Sequence, residues 1–270
     1  MDKTIYEQML LKNYKGAEGA EEAWDARANH FYKSQQRGRS ELVEKVTAIL
    51  QERGLLAGAD LLDIGGGSGR YAVPFAAHAE HVTITDISAN MLELARRNAQ
   101  EAGVTNLTYA KLEWTGADLA AWQWRKRFDL VFASMCPAIR SPEGLYKMLE
   151  AAKGFCLINQ YIEATDSLSA YLTQVLDPPR SYEPHNDRDM VQAVFNLLWL
   201  EGYEPEICYL RQREVTSFTV EGAVEQYGGR YHQAAQLKRM DLAELISRHA
   251  GQVTFSVDSK ATLAMILWKV

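Results

Sequence analysis

The sequence predicts an α/β protein built on a doubly wound, mostly parallel sheet. Three observations lead there. An apolar run with a carboxylate near its end, Leu61-Leu62-Asp63-Ile64, opens directly onto a glycine turn, Gly65-Gly66-Gly67-Ser68-Gly69-Arg70. Beyond it, short apolar strands alternate with amphipathic helical segments as far as Asn159, the rhythm of βαβ units. Two of those strands, Leu130-Val131-Phe132-Ala133 and Phe155-Cys156-Leu157-Ile158, are apolar without interruption, as parallel strands covered on both faces require.

Taken in order, the first fifty residues are polar and helical in pattern. They end in a segment where Leu42, Val43, Val46, Ile49 and Leu50 fall on one helical face, with Ser40 as N-cap and Gly54 as stop. Strand Leu61 to Ile64 is followed by a helix over Arg70 to Ala77 that Pro74 bends, and by strand Val82 to Thr85. Ser88 caps a helix over Ala89 to Ala102 that Gly103 stops; strands Leu107 to Ala110 and Phe128 to Ala133 come next. A helix over Gly144 to Ala152 and strand Phe155 to Asn159 complete the regular part. From Glu163 to Asp189 three prolines and the lack of a clean period mark an insertion. Helix Met190 to Leu200, a strand region from Glu206 to Thr219, a helical and polar stretch from Val220 to Ala250 and an apolar strand from Thr262 to Val270 close the chain. The Gly228-Gly229 pair reads as a turn between two helical pieces.

Composition narrows the function classes. The net charge of -6 and a sequence pI of about 5.6 disfavour a broad basic face, so no nucleic-acid partner is expected and a small-molecule substrate is favoured. No run approaches the ~18 apolar residues of a membrane span, and the charged start, Met1-Asp2-Lys3, is unlike a secretory signal, which makes the cytoplasm the expected location. Cys136, Cys156 and Cys208 are odd in number and widely spaced, so neither a disulfide framework nor a zinc site is expected. The six histidines form no metal-binding spacing, and the metal expectation is none.

The glycine turn carries the chemistry. Gly65, Gly67 and Gly69 follow a G-x-G-x-G spacing, and Arg70 stands where a dinucleotide fingerprint has its last glycine. Asp86 ends the next strand 23 residues after Asp63. Together these resemble the class I S-adenosylmethionine-dependent methyltransferases, whose first-strand signature is close to D-x-G-x-G-x-G. The resemblance is strong over Asp60 to Asn159 and elsewhere rests on the order of elements. It implies a seven-stranded Rossmann-like sheet in the order 3-2-1-4-5-7-6 with the last strand antiparallel. It also implies S-adenosyl-L-methionine as cofactor, a small-molecule methyl acceptor, a helical cover over residues 1–54, and a methyltransferase domain over 55–270 with acceptor-pocket insertions at 163–189 and 220–250.

The same resemblance assigns roles. Gly65, Gly66, Gly67 and Gly69 pass beneath the methionine part of the cofactor, and Asp63 helps hold its amino group. Asp86 accepts from the two ribose hydroxyls, with Ile87 beside it; the same carboxylate also suits the start of the following helix electrostatically. Glu113 occupies the position of the family's third acid, at the adenine amino group, and Trp114 either stacks on the base or packs locally. Ser134 and Cys136 follow the fourth strand, where methyl group and acceptor meet; Cys136 is a candidate nucleophile or simply a small buried hydrophobe. The expected N/D-P-P-Y/F sequence of nucleic-acid amine methyltransferases is replaced here by Met135-Cys136-Pro137-Ala138. The stretch from Trp24 to Tyr32 resembles the W-D-x-x-A-x-x-F/Y segment of small-molecule methyltransferases, which puts Trp24, Phe31 and Tyr32 either at the cofactor or in ordinary helix packing, with His30 in the same stretch.

Methyl transfer from a sulfonium is an in-line displacement that needs alignment and exclusion of water more than it needs a metal or a covalent residue. A hydroxyl or protonated amine as acceptor calls for a base, for which His30, His185 and His232 are the candidates. Two other readings stay open: a cofactor-binding regulatory or assembly protein without catalysis, and a nicotinamide-dependent oxidoreductase.

Overall fold

The structure, a computed structural model, describes residues 2–37, 41–179 and 181–270, with side chains other than those of 30, 31 and 33–37. The chain divides into two compact units. The first comprises residues 1–160, 188–210 and 264–270, and the second residues 161–187 and 211–263.

Elements of the first unit begin with α1 (Lys3–Leu11), α2 (Ala20–Arg37) and α3 (Glu41–Glu52). Along α3, Leu42, Val46 and Leu50 are fully buried at helical spacing. The N-cap expected at Ser40 lies outside the described residues. There follow β1 (Asp60–Ile64), α4 (Ala72–Ala76), β2 (His81–Asp86), α5 (Ala89–Glu101), β3 (Leu107–Lys111), β4 (Phe128–Ser134) and α6 (Pro142–Ala151). Next come β5 (Ala152–Asp166), α7 (Ser167–Leu176), α8 (Arg188–Leu200), β6 (Glu206–Thr219), α9 (Val220–Leu237), α10 (Leu242–Ala250) and β7 (Thr254–Lys269). The strand order is β3-β2-β1-β4-β5-β7-β6, with the last strand antiparallel, as the resemblance implied.

Strand register determines where a ligand can sit. β1 pairs in parallel with β2 and with β4, bringing Ile64 level with Thr85 on one side and Ala133 on the other. β4 pairs with β5 so that Ser134 meets Asn159. The carboxyl ends of β1, β2 and β4 therefore emerge together, with Asn159 of β5 beside them, and the order reverses between β1 and β4, where open α/β sheets bind their ligands.

Two segments depart from the sequence expectation. β5 runs on to Asp166 and β7 starts at Thr254, well beyond the apolar runs that revealed them. Their added residues 161–166 and 254–261 belong to the second unit. There burial alternates along polar strands, a weaker signal than a continuous apolar run. The second correction concerns α9, which passes through Gly228 and Gly229 without a break. The turn falls instead at residues 238–241, where Arg239 has a positive φ and Asp241 caps α10. Helical continuity across the glycines is held by anchoring on either side. Tyr227 packs against Phe218, and the buried Tyr231 hydroxyl donates to Ser169 O at 3.1 Å and meets Thr173 Oγ1 at 2.8 Å. Around Tyr231 the second unit has its own core of Leu168, Leu172, Leu176, Ala223 and Ile246.

Candidate functional site

β1 delivers Asp63 into the interior, and the chain then turns through glycines whose missing side chains are filled by neighbours. A Cβ at Gly65 would stand 2.6 Å from Cys136 Sγ, and one at Gly66 would stand 2.7 Å from Asp63 Oδ2 and 2.8 Å from Ile84 Cγ2. Gly65 also has φ +63°, a conformation that strains any residue with a Cβ. The turn is fastened to β2: Gly66 N–H donates to Thr85 O at 2.9 Å, and Gly67 N–H donates to Asp86 Oδ2 at 2.9 Å. The other Asp86 oxygen accepts the Ser88 N–H, also at 2.9 Å. Asp86 thus joins the glycine turn to the start of α5 through one carboxylate.

In both acids burial disfavours the charged form. Burial, and secondarily the Asp86 charge, push the Asp63 carboxyl well above the usual carboxylate range, against the pull of the Ala72 N–H. Burial also raises Asp86, while the Ser88, Gly67 and Ile87 N–H groups oppose the rise and Asp25 adds to it. A cation or hydroxyl donors placed beside this pair would relieve it.

A cavity of about 470 Å³ opens beside Ile87, the residue that follows Asp86. Ile87, Lys111 and Glu113 form one wall, and Gly19, Glu21 and Glu22, at the start of α2, form another. Lys111 and Glu21 are paired across it. Glu113 lies at this cavity as its sequence position suggested, with its carboxylate folded onto its own turn, accepting from Thr115 N–H at 2.8 Å and from the Thr115 hydroxyl and Gly116 N–H at 2.6 Å each. Trp114 points into the core, only 3% exposed, and donates its indole N–H to Gly144 O at 3.0 Å. Of its two roles, the structure places it in packing.

At the end of β4, Ser134 is half-buried and Met135 has φ +52°. Cys136 is buried against Gly65, and that burial pushes its thiol up to about 12. A thiol so placed stays protonated near neutral pH, which corrects its candidacy as nucleophile. His185 and His232 are exposed residues of the second unit, His185 with its ring 5.3 Å from that of Tyr161. The His30 and Phe31 side chains lie outside the described residues. No group of three or more His, Cys, Asp or Glu residues suited to a metal occurs among the described residues.

Tyr32 does not offer a free hydroxyl: it donates to Asn98 Oδ1 at 2.9 Å, and its ring packs with Trp24 against Ala28, Met91 and Leu94. Four residues at the site escaped the sequence reading. Asp25 accepts from the Ser88 hydroxyl and from Asn90 N–H, and Asn98 donates to Ser68 O within the glycine turn. Asn159 is fully buried. The buried Tyr71 hydroxyl stands near Ser134 and Asn159, which restrain the rise that burial imposes on it. The Asp25 signal was present in part, as an acid on a helix opposite a Ser N-cap.

Comparison with known proteins bears on this geometry. Residues 61–156 match the family described as methyltransferase domain. No curated protein matches the chain. Among solved structures, a protein assigned as a type II methyltransferase from Anaeromyxobacter dehalogenans superposes with a TM-score of 0.54 at 17% identity, covering 83% of this chain and 95% of its own. A magnesium protoporphyrin IX methyltransferase from Synechocystis, solved with bound SAH, covers 90% of this chain and 97% of its own at 15% identity and a TM-score of 0.49. At such identities the likeness is one of fold. No helix among the described residues is long and apolar enough to cross a membrane.

Proposed function

We propose that this chain, whose residues 61–156 match the methyltransferase-domain family, is a class I S-adenosylmethionine-dependent methyltransferase that transfers a methyl group to a small-molecule acceptor. The observation that carries the reading is the glycine turn fastened to Asp86. It brings a side-chain-free turn and two buried carboxylates to the point where strand order reverses.

The residues fit the cofactor. Asp63, raised by burial, gains from the ammonium of the methionine end, and the cradle at Gly65 and Gly66 has no room for side chains. We assign Asp86 to the ribose hydroxyls, Ile87 and the turn shaped by Glu113 to the adenine end, and Ser134 to the region of the transferred methyl. Gly67 and Gly69 complete the turn, and Tyr32 acts from α2 through Asn98. When bound, the cofactor supplies a sulfonium-activated methyl group. The chain's own task is to hold donor and acceptor in line and to exclude water, and no step is asked of Cys136. Acceptor choice is assigned to the segments 163–189 and 220–250, and the reduced-thiol composition suits the cytoplasm.

Isothermal titration with S-adenosylmethionine, S-adenosylhomocysteine, NAD and NADP tests the donor. Binding of the first two is expected, and binding of a nicotinamide cofactor alone overturns the reading. Transfer of labelled methyl from S-adenosylmethionine across a metabolite panel tests the acceptor class. Label appearing only in macromolecules overturns it.

A further inference from the structure

Two hydrogen-bond relays leave α2 and end on the two elements assigned to the donor. In one, Tyr32 donates its hydroxyl to Asn98 Oδ1 at 2.9 Å, and Asn98 Nδ2 donates to the Ser68 carbonyl at 2.8 Å, inside the glycine turn. In the other, Asp25 Oδ1 accepts from the Ser88 hydroxyl and from Asn90 N–H at 3.1 Å. Ser88 N–H in turn donates to Asp86 Oδ1, whose partner oxygen holds Gly67 N–H. Between the relays Ala28 is buried against Met91 and Leu94. α5 carries Ser88 at its N-cap and Asn98 three turns on, so one rigid helix receives both.

We propose that Asn98 and Asp25 are positioning residues that couple the seating of α2 to the geometry of the glycine turn and Asp86, so that donor binding and the seating of α2 stabilise one another. The inference rests on the donor reading above. Asn98 is chemically suited to the task because its amide has one acceptor and one donor end, and the two are spent on different elements. A carboxylate at the same position would still accept from Tyr32 but would face the Ser68 carbonyl with no proton to offer. Asp25 works on the other side by supplying a carboxylate to the N-terminus of α5, where it caps free N–H groups and fixes the Ser88 hydroxyl. The start of α2 also walls the cavity beside Ile87, so a shift of α2 changes the shape of that cavity directly.

The test uses the full chain and the variants Tyr32→Phe, Asn98→Leu, Asn98→Asp, Asp25→Asn and the Tyr32→Phe/Asn98→Leu double. Each is titrated with S-adenosylmethionine by calorimetry, and amide hydrogen exchange is followed over residues 20–37 with and without the cofactor. Loss of a relay hydrogen bond is expected to weaken binding by roughly 5- to 10-fold, the equivalent of one such bond. Asn98→Asp should resemble Asn98→Leu, and Tyr32→Phe should add nothing once Asn98 is gone. In the unaltered chain the cofactor should slow exchange in α2, and in Asn98→Leu that slowing should be lost, a change that a purely structural role would not produce. Tyr32→Phe removes a single hydroxyl and keeps the test available if a larger change fails to fold. Variants that bind as tightly as the unaltered chain, with α2 protected on binding as before, overturn the inference and leave the donor reading standing. An unaltered chain that binds no S-adenosylmethionine overturns both.

Discussion

Gly65→Ala probes the contact on which the glycine turn is built. Two effects add. The residue has φ +63°, where a Cβ costs about 1 kcal/mol. The new methyl also meets Cys136 Sγ at 2.6 Å, an overlap that a buried thiol cannot evade without moving its strand end, worth roughly 1–3 kcal/mol. The expected loss is about 2–4 kcal/mol, read from the midpoint of urea unfolding. Cys136→Ala alone removes a buried sulfur and should lose about 1 kcal/mol. In the double variant the nearest remaining atom is Cβ of residue 136, at 3.3 Å, so most of the overlap disappears. The cycle should therefore return a favourable coupling of about 1–3 kcal/mol. Gly67→Ala serves as control: its φ is +56° and the nearest atom, Met91 Sδ, is 3.9 Å away, leaving only the backbone penalty. Additivity of Gly65→Ala and Cys136→Ala within about 0.5 kcal/mol would refute the reasoning.

Further outcomes follow from burial and charge. Iodoacetamide at pH 8 should label the exposed Cys208 in the folded chain and spare Cys136 and Cys156, both buried and both with thiols pushed up by that burial; peptide mass spectrometry locates the label. Because the Asp63 carboxyl is raised in the folded state, its contribution to stability is full below the ordinary carboxylate range near 3.8 and is lost as pH rises through the folded value. The stability of Asp63→Asn relative to the unaltered chain should consequently increase with pH over that window, and a flat difference between their urea midpoints would contradict this.

What could be read in advance depended on how far apart the cooperating residues lie. β4 and the inner part of β5 were legible because a parallel strand covered on both faces must be apolar throughout. The glycine turn was legible because Gly66 has Asp63 Oδ2 and Ile84 Cγ2 where a side chain would go, a demand only glycine satisfies. Ser88 was legible as an N-cap, and its hydroxyl does accept Met91 N–H at 3.1 Å. The outer parts of β5 and β7 were not, since alternating exposure along polar residues gives little contrast with a loop. Gly228 and Gly229 misled because a glycine's weak helical preference, about 1 kcal/mol, is outweighed when Tyr227 and Tyr231 are anchored on either side.

Asn98 and Asp25 show a different limit. Asn98 lies 66 residues from Tyr32 and 30 from Ser68, and Asp25 lies 63 from Ser88. On the sequence each is an ordinary polar residue on an amphipathic helix, and no spacing rule joins them. Their chemistry becomes specific only after Ala28 has been packed against Met91 and Leu94, which sets α2 on α5 and brings amide, hydroxyl and carbonyl within hydrogen-bond reach. The apolar contact supplies proximity, and the polar relays select one alignment within it, because a displaced helix would leave the Asn98 amide and the Asp25 carboxylate without these partners. The glycine turn is thus written locally, in four glycines and an acid, while its connection to α2 is written in long-range pairs. Substitutions in the relays should accordingly change how tightly the donor is held while leaving the strand order and the glycine turn intact.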